Sequence, residues 1–148
     1  MFNKIGFVKV KIMEYKQLIE IALELKENAY APYTGFKSAA VLVTESGEIY
    51  AGCNVEIAGL TASATAVQSA FLSAIASGER KFSAIAIVGG VDDSELDYAS
   101  PTGICRQIIQ EFCSLDFKII LAKSSQDFII YTFEDLFPVP FSKKNVIG

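Results

Sequence analysis

The sequence predicts an α/β fold, a three-layer α/β/α sandwich around a mixed sheet of about five strands. Three observations carry this expectation. Apolar runs of strand length alternate with segments of helical period, a tight Glu45-Ser46-Gly47-Glu48 connection joins two strands as an antiparallel hairpin, and helices separate later strands. A hairpin followed by crossover units gives a mixed sheet, with helices available to cover both faces.

Residues 1–12 read as an N-terminal arm or an extra edge strand. Phe7, Val8, Val10 and Ile12 favour extended backbone, and the interspersed lysines protect an exposed edge from pairing. From Glu14 the period changes. Leu18, Ile21, Ala22 and Leu25 recur at helical spacing while Glu20, Glu24, Lys26 and Glu27 face elsewhere, which predicts an amphipathic helix ending near Asn28. Residues 30–36 form a loop, because Pro32 restricts Ala31 and Gly35 supplies a turn.

Residues 37–44 make the first central strand, and residues 49–54 return beside it. A slim helix follows, ending near Gly78. Ala62, Ala64, Ala66, Ser69, Ala70, Ser73, Ala74 and Ala76 permit close approach to the sheet or to another subunit's helix. Residues 82–88 form a strand whose Ile85-Ala86-Ile87-Val88 run predicts burial on both faces. An acidic loop spans 89–100, a helix 102–113, strands 117–121 and 128–131, and a short helix 133–136, before a tail containing Pro138 and Pro140.

With 148 residues and 51% hydrophobic composition, residues 1–148 read as a single domain with one sizeable core. The formal net charge is −4, from 13 basic and 17 acidic residues, and the lysines are scattered. Nucleic acid is therefore not an expected partner, since a phosphate backbone calls for a basic face. No segment is both long and apolar enough for a bilayer, and alternating lysines replace the layout of a signal peptide, so the expectation is a cytoplasmic protein with no membrane partner. Three cysteines without a tight pairing pattern fit a reducing compartment. The absence of histidine removes Ser-His-Asp and Cys-His nucleophilic arrangements and any histidine base.

Two stretches carry most of the chemical information. Gly52-Cys53-Asn54-Val55-Glu56 closes the hairpin and is followed by Thr65-Ala66-Val67-Gln68 at a helix start; Pro101-Thr102-Gly103-Ile104-Cys105-Arg106-Gln107 opens the second helix. Upstream lies Pro32-Tyr33-Thr34-Gly35-Phe36, and downstream Leu136-Phe137-Pro138-Val139-Pro140-Phe141. In this order and spacing the four pieces resemble the small homotetrameric zinc-dependent cytidine deaminases across nearly the whole chain, and the resemblance implies that family's fold.

The resemblance also implies a chemistry that these residues do not supply. In that family three cysteines hold a zinc ion that activates water, and a glutamate moves protons during attack on cytosine C4. Here Thr65 and Thr102 stand at two of the cysteine positions, leaving Cys105, and Val67 stands at the glutamate position. A neutral hydroxyl is a poor zinc ligand and a hydrocarbon carries no proton. The expectation is a divergent member with no cofactor and no deamination, zinc returning only if the chain is an active deaminase after all.

The same residues have structural readings. Thr65 with Gln68 fits a capping box, and Thr102 reads as the N-cap of the second helix. Val67, Phe71 and Ile75 form a ridge suited to helix-to-sheet packing. Cys105 lies in a first helical turn as a structural, ligand-contacting or nucleophilic thiol, whereas Cys53 and Cys113 belong to a strand end and a helix core. Arg106 and Gln107 suit a pocket entrance or an interface.

Asn54 and Glu56, two apart on one side of an extended segment, either reach vicinal hydroxyls of a ligand or tie down a turn through the backbone. The resemblance implies the first role, as a ribose-binding pair, and implies base packing by Phe36 and by Phe141, the latter from a neighbouring subunit. Ile57 departs from the family's asparagine at its position.

The leading expectation is a catalytically inactive cytidine-deaminase-like protein that retains binding of a nucleoside or related pyrimidine-like small molecule. The alternatives are hydrolytic conversion of cytidine or deoxycytidine to uridine or deoxyuridine, a structural or regulatory subunit, or a metal-independent nucleoside-processing enzyme. The last would use Glu56 or an acid from the loop at Asp92, Asp93, Glu95 and Asp97, although that loop reads more simply as a solvated surface. The expected assembly is a homotetramer or homodimer, alone or with a deaminase paralogue.

Overall fold

The structure is a computed structural model that describes residues 4–91 and 94–147. Helix α1 (Lys4–Lys26) leads into strand β1 (Phe36–Thr44), which the hairpin turn joins to β2 (Ile49–Cys53). A 3-10 turn (Leu60–Ala62) precedes α2 (Ala66–Ala76), and β3 (Phe82–Val91), α3 (Gly103–Phe112), β4 (Lys118–Ser124) and β5 (Asp127–Thr132) follow. Two short helices, α4 (Phe133–Leu136) and α5 (Lys143–Ile147), end the described chain.

The strands form one sheet in the order β2-β1-β3-β4-β5. Its pairs are antiparallel except for β3 with β4, which run parallel with α3 as their crossover. The mixed sheet and its layers match the expectation. Side chains alternate across the pleat: Ala39, Val41, Ala84, Ala86, Val88, Ile120 and Ala122 pack with Tyr15, Leu18, Ile19 and Ala22 of α1. On the opposite face, Ala40, Leu42, Ile85, Ile87, Ile119 and Leu121 meet Val67, Ala70, Phe71 and Ala74 of α2 and Cys105 and Ile109 of α3. The Ile85–Val88 run is buried on both faces.

Three local readings change. Residues 4–12 belong to α1 and form neither an arm nor an edge strand, while Phe2 and Asn3 lie outside the described residues. Strand preference depends on finding a partner edge, whereas lengthening an existing helix gains one hydrogen bond per residue fixed. The buried face of α1 follows Tyr15, Leu18, Ile19 and Ala22, so Ile21 is exposed at 39%. Ala62 and Ala64 precede α2; its inward small residues are Ala66, Ala70 and Ala74.

Those small residues let α2 lie on the sheet, and Gly52 completes the fit from the other side. A Cβ at Gly52 would stand 2.4 Å from the Ala70 amide nitrogen and 2.5 Å from Ser69 Cβ. This approach brings the start of α2 to the end of β2, where the motif residues lie.

Candidate functional site

A cleft of about 310 Å³ opens between the N-terminal ends of α2 and α3, with the start of β1, the segment after β2 and the loop before α3 as its walls. Phe36, Asn54, Glu56, Thr65, Val67, Thr102 and Cys105 all line it. A larger groove of about 530 Å³ lies between α1 and the hairpin end, but it gathers none of these motif residues.

The floor is a small polar cluster. The Cys105 thiol donates to Thr65 Oγ1 at 3.3 Å, and Thr102 Oγ1 lies 3.3 Å from Cys105 Sγ. Cys105 itself is buried. Thr65 also caps α2: its hydroxyl accepts from the Gln68 amide at 3.1 Å, and the Gln68 side chain accepts from the Thr65 amide at 2.9 Å. This is the expected capping box. Thr102 occupies the N-cap position of α3 without any side-chain capping bond; its hydroxyl faces Cys105, which corrects the reading of Thr102 as a helix cap alone. Val67 is buried against the core beside the cluster, as the ridge reading required.

At the mouth, Asn54 and Glu56 are held by backbone. Asn54 Oδ1 accepts from the Ser38 amide at 2.7 Å and its Nδ2 donates to Phe36 O at 2.8 Å. Glu56 accepts from the Tyr33 amide at 2.8 Å, the Thr34 amide at 3.2 Å and the Thr34 hydroxyl. The Thr34 hydroxyl, with help from these amides, holds the Glu56 carboxyl below the usual carboxylate range. Such a carboxylate is a weak proton acceptor near neutral pH. Both residues nevertheless keep hydrogen-bonding capacity: a carboxylate has about four acceptor sites, and a side-chain amide two donors and two acceptor lone pairs. The turn-tying role and a ligand role are thus compatible.

Several residues that build the cleft escaped the sequence reading. A Cβ on Gly89 would come within 3.0 Å of both the Phe36 ring and Ala99, and one on Gly90 within 2.5 Å of Leu96, so the Gly-Gly end of β3 lets the loop close over the sheet. The loop is anchored by the Tyr98 hydroxyl donating to Asp127 and by Lys123, 3.6 Å from Asp97. The Gly89-Gly90 pair at a strand end was the available signal. Asp92 and Asp93 lie outside the described residues, and Ser94 and Glu95 are exposed.

Arg106 braces the same wall. Its guanidinium donates to Pro101 O at 2.8 Å, to Leu136 O and to Ser100 Oγ at 3.1 Å. Gln107 donates to Phe141 O at 2.9 Å. Phe141 is 60% exposed and is not among the cleft-lining residues. Cys53, Cys105 and Cys113 are all free thiols, and burial pushes the Cys113 thiol up.

The fold and this cleft define the class to which the protein belongs. The chain is a member of the cytidine deaminase family: residues 3–97 match the family model described as the cytidine and deoxycytidylate deaminase zinc-binding region. A cytidine deaminase of Sporosarcina psychrophila is 35% identical over 90% of this chain and 96% of its own length. One from Halalkalibacterium halodurans is 31% identical over 90% and 98%. The crystal structure of cytidine deaminase from Burkholderia pseudomallei superposes with a TM-score of 0.76 at 38% identity, covering 84% of this chain and 97% of that one.

The zinc ion named by the family does not suit the residues present. At the positions that the family resemblance implies for the zinc ligands, one thiol and two neutral hydroxyls converge, one hydroxyl already accepts from a helix amide, and Val67 supplies no proton-carrying group. Among the described residues, no group of three or more His, Cys, Asp or Glu is placed to hold a metal. No helix among them is long and apolar enough to cross a membrane.

Proposed function

We propose that this chain binds a nucleoside or related small molecule in the cleft without deaminating it. The observation that carries the reading is the cluster at the floor: Thr65 and Thr102 both hydrogen-bond to Cys105 at the zinc positions implied by the family resemblance, while the cleft around them stays open. Supporting it, Phe36 offers an aromatic wall, and Asn54 and Glu56 offer unused hydrogen-bonding sites at the mouth. Without a zinc-activated water or a glutamate at the Val67 position, the cleft retains recognition groups and lacks the means of hydrolysis.

Isothermal titration with cytidine, uridine and deoxycytidine, run beside an ammonia-release assay, tests this. Binding to at least one nucleoside with no ammonia above the protein-free rate is expected. Flat isotherms at millimolar nucleoside remove the binding claim, and sustained cytidine turnover removes the inactive one.

The proposal includes a homotetramer or homodimer, because Phe141 is exposed on its own subunit and a base-packing role for it needs a neighbour's cleft. Its backbone is held by Gln107, which keeps the aromatic segment in place for such a contact. Mass photometry should show the oligomer; a monomer throughout the working range contradicts it.

A further inference from the structure

The floor cluster has a hydrogen-bond direction that follows from counting protons. Thr65 Oγ1 accepts from the Gln68 amide at 3.1 Å and from the Cys105 thiol at 3.3 Å. A hydroxyl oxygen has two acceptor lone pairs and one proton. Thr65 is therefore saturated as an acceptor and keeps only its O–H to offer.

Cys105 has a single proton, and it is directed at Thr65. The 3.3 Å contact between Cys105 Sγ and Thr102 Oγ1 must then be donated by Thr102. Thr102 has spent its proton and keeps its oxygen lone pairs. The cluster thus presents one donor, at Thr65, and one acceptor, at Thr102, on the same cleft floor. It carries no carboxylate to favour a donor, since Val67 is hydrocarbon.

We propose that the directed cluster of Thr102, Cys105 and Thr65 makes the cleft accept pyrimidine nucleosides whether ring carbon 4 carries an amino or an oxo group. This rests on the nucleoside-binding reading above. With the sugar at Asn54 and Glu56, the ring edge opposite its glycosidic nitrogen reaches the floor, and that edge bears the substituent at carbon 4. An oxo group accepts from Thr65; an amino group donates to Thr102. Either substituent finds one partner at the floor and leaves one of the two threonines unused, so the cost is similar for both and neither ligand carries an unpaired group at carbon 4, the usual source of strong discrimination between such analogues.

The test is the ratio of the cytidine and uridine dissociation constants, measured by calorimetry on the full chain. Wild type is expected to bind both within about threefold. Thr102→Val removes the acceptor and shifts the ratio toward uridine by about fivefold or more, the usual consequence of leaving a buried donor unpaired. Thr65→Val shifts it toward cytidine. Because Thr65 caps α2 and Thr102 makes no capping bond, Thr102→Val decides the matter alone if the Thr65 variant does not fold.

A wild-type preference of tenfold or more for either nucleoside overturns the inference while leaving nucleoside binding intact. An unchanged ratio in Thr102→Val overturns it in the same way. No heat with either nucleoside overturns the nucleoside-binding reading and this inference together.

Discussion

At the scale of single residues, two threonines with the same sequence role have different structural ones. Thr65 closes a complete capping box, whereas Thr102 sits at a helix start and turns its hydroxyl to Cys105. Thr65→Ala should cost about 0.5–2 kcal/mol in chemical denaturation, the range for a lost N-cap. Thr102→Ala should cost markedly less, because it removes no capping bond. Equal losses in the two variants would contradict the assignment. The difference also marks where sequence reading stops. Thr65 and Gln68 lie three apart and pair locally, so their box is legible in the chain. The hydroxyl of Thr102 chooses between its own helix amides and a thiol that Thr65, distant in sequence, also engages, and only the tertiary fold sets that choice. Asn54 and Glu56 show the same limit: the sequence offers them as a pair that reaches a ligand or ties down a turn, but that the backbone they grip is Phe36–Ser38 and Tyr33–Thr34 is set by the tertiary fold.

At the scale of elements, the site depends on how closely α2 approaches β2. Gly52 allows it, since a Cβ there would overlap the Ala70 amide and Ser69. Both obstructing groups belong to the helix itself, so relief requires moving α2. Gly52→Ala should therefore destabilise the fold by about 1–3 kcal/mol, as overpacking does, and loosen the Thr65–Cys105 contact at the same time. A variant with wild-type denaturation would contradict the packing account. The strands were legible because β1 and β3 carry continuous apolar runs buried on both faces, and the hairpin because its turn is short. The N-terminal residues were not, because alternating lysine and apolar residues suit a strand edge as well as a helix, and intrinsic strand preference is a weak guide without a partner.

At the scale of the whole molecule, the family's fold surrounds a centre in which no group of three or more His, Cys, Asp or Glu among the described residues is placed to hold a metal. The sheet and both flanking layers are those of the family, and four motif fragments in order were enough to read them from the sequence. Hydrogen bonding and apolar packing hold together the point where α2 and α3 meet, through the Cys105–Thr65 contact, the cap of α2 and the buried Val67. Arg106 ties the loop before α3 to the end of α4, so the wall of the cleft is braced independently of any ion.

The proposal that the floor holds no catalytic ion is tested most directly by the zinc content of the purified protein. Expression in zinc-supplemented medium followed by elemental analysis should give far less than one zinc per chain. One tightly held zinc per chain, lost on converting Cys105 to serine, would contradict the account.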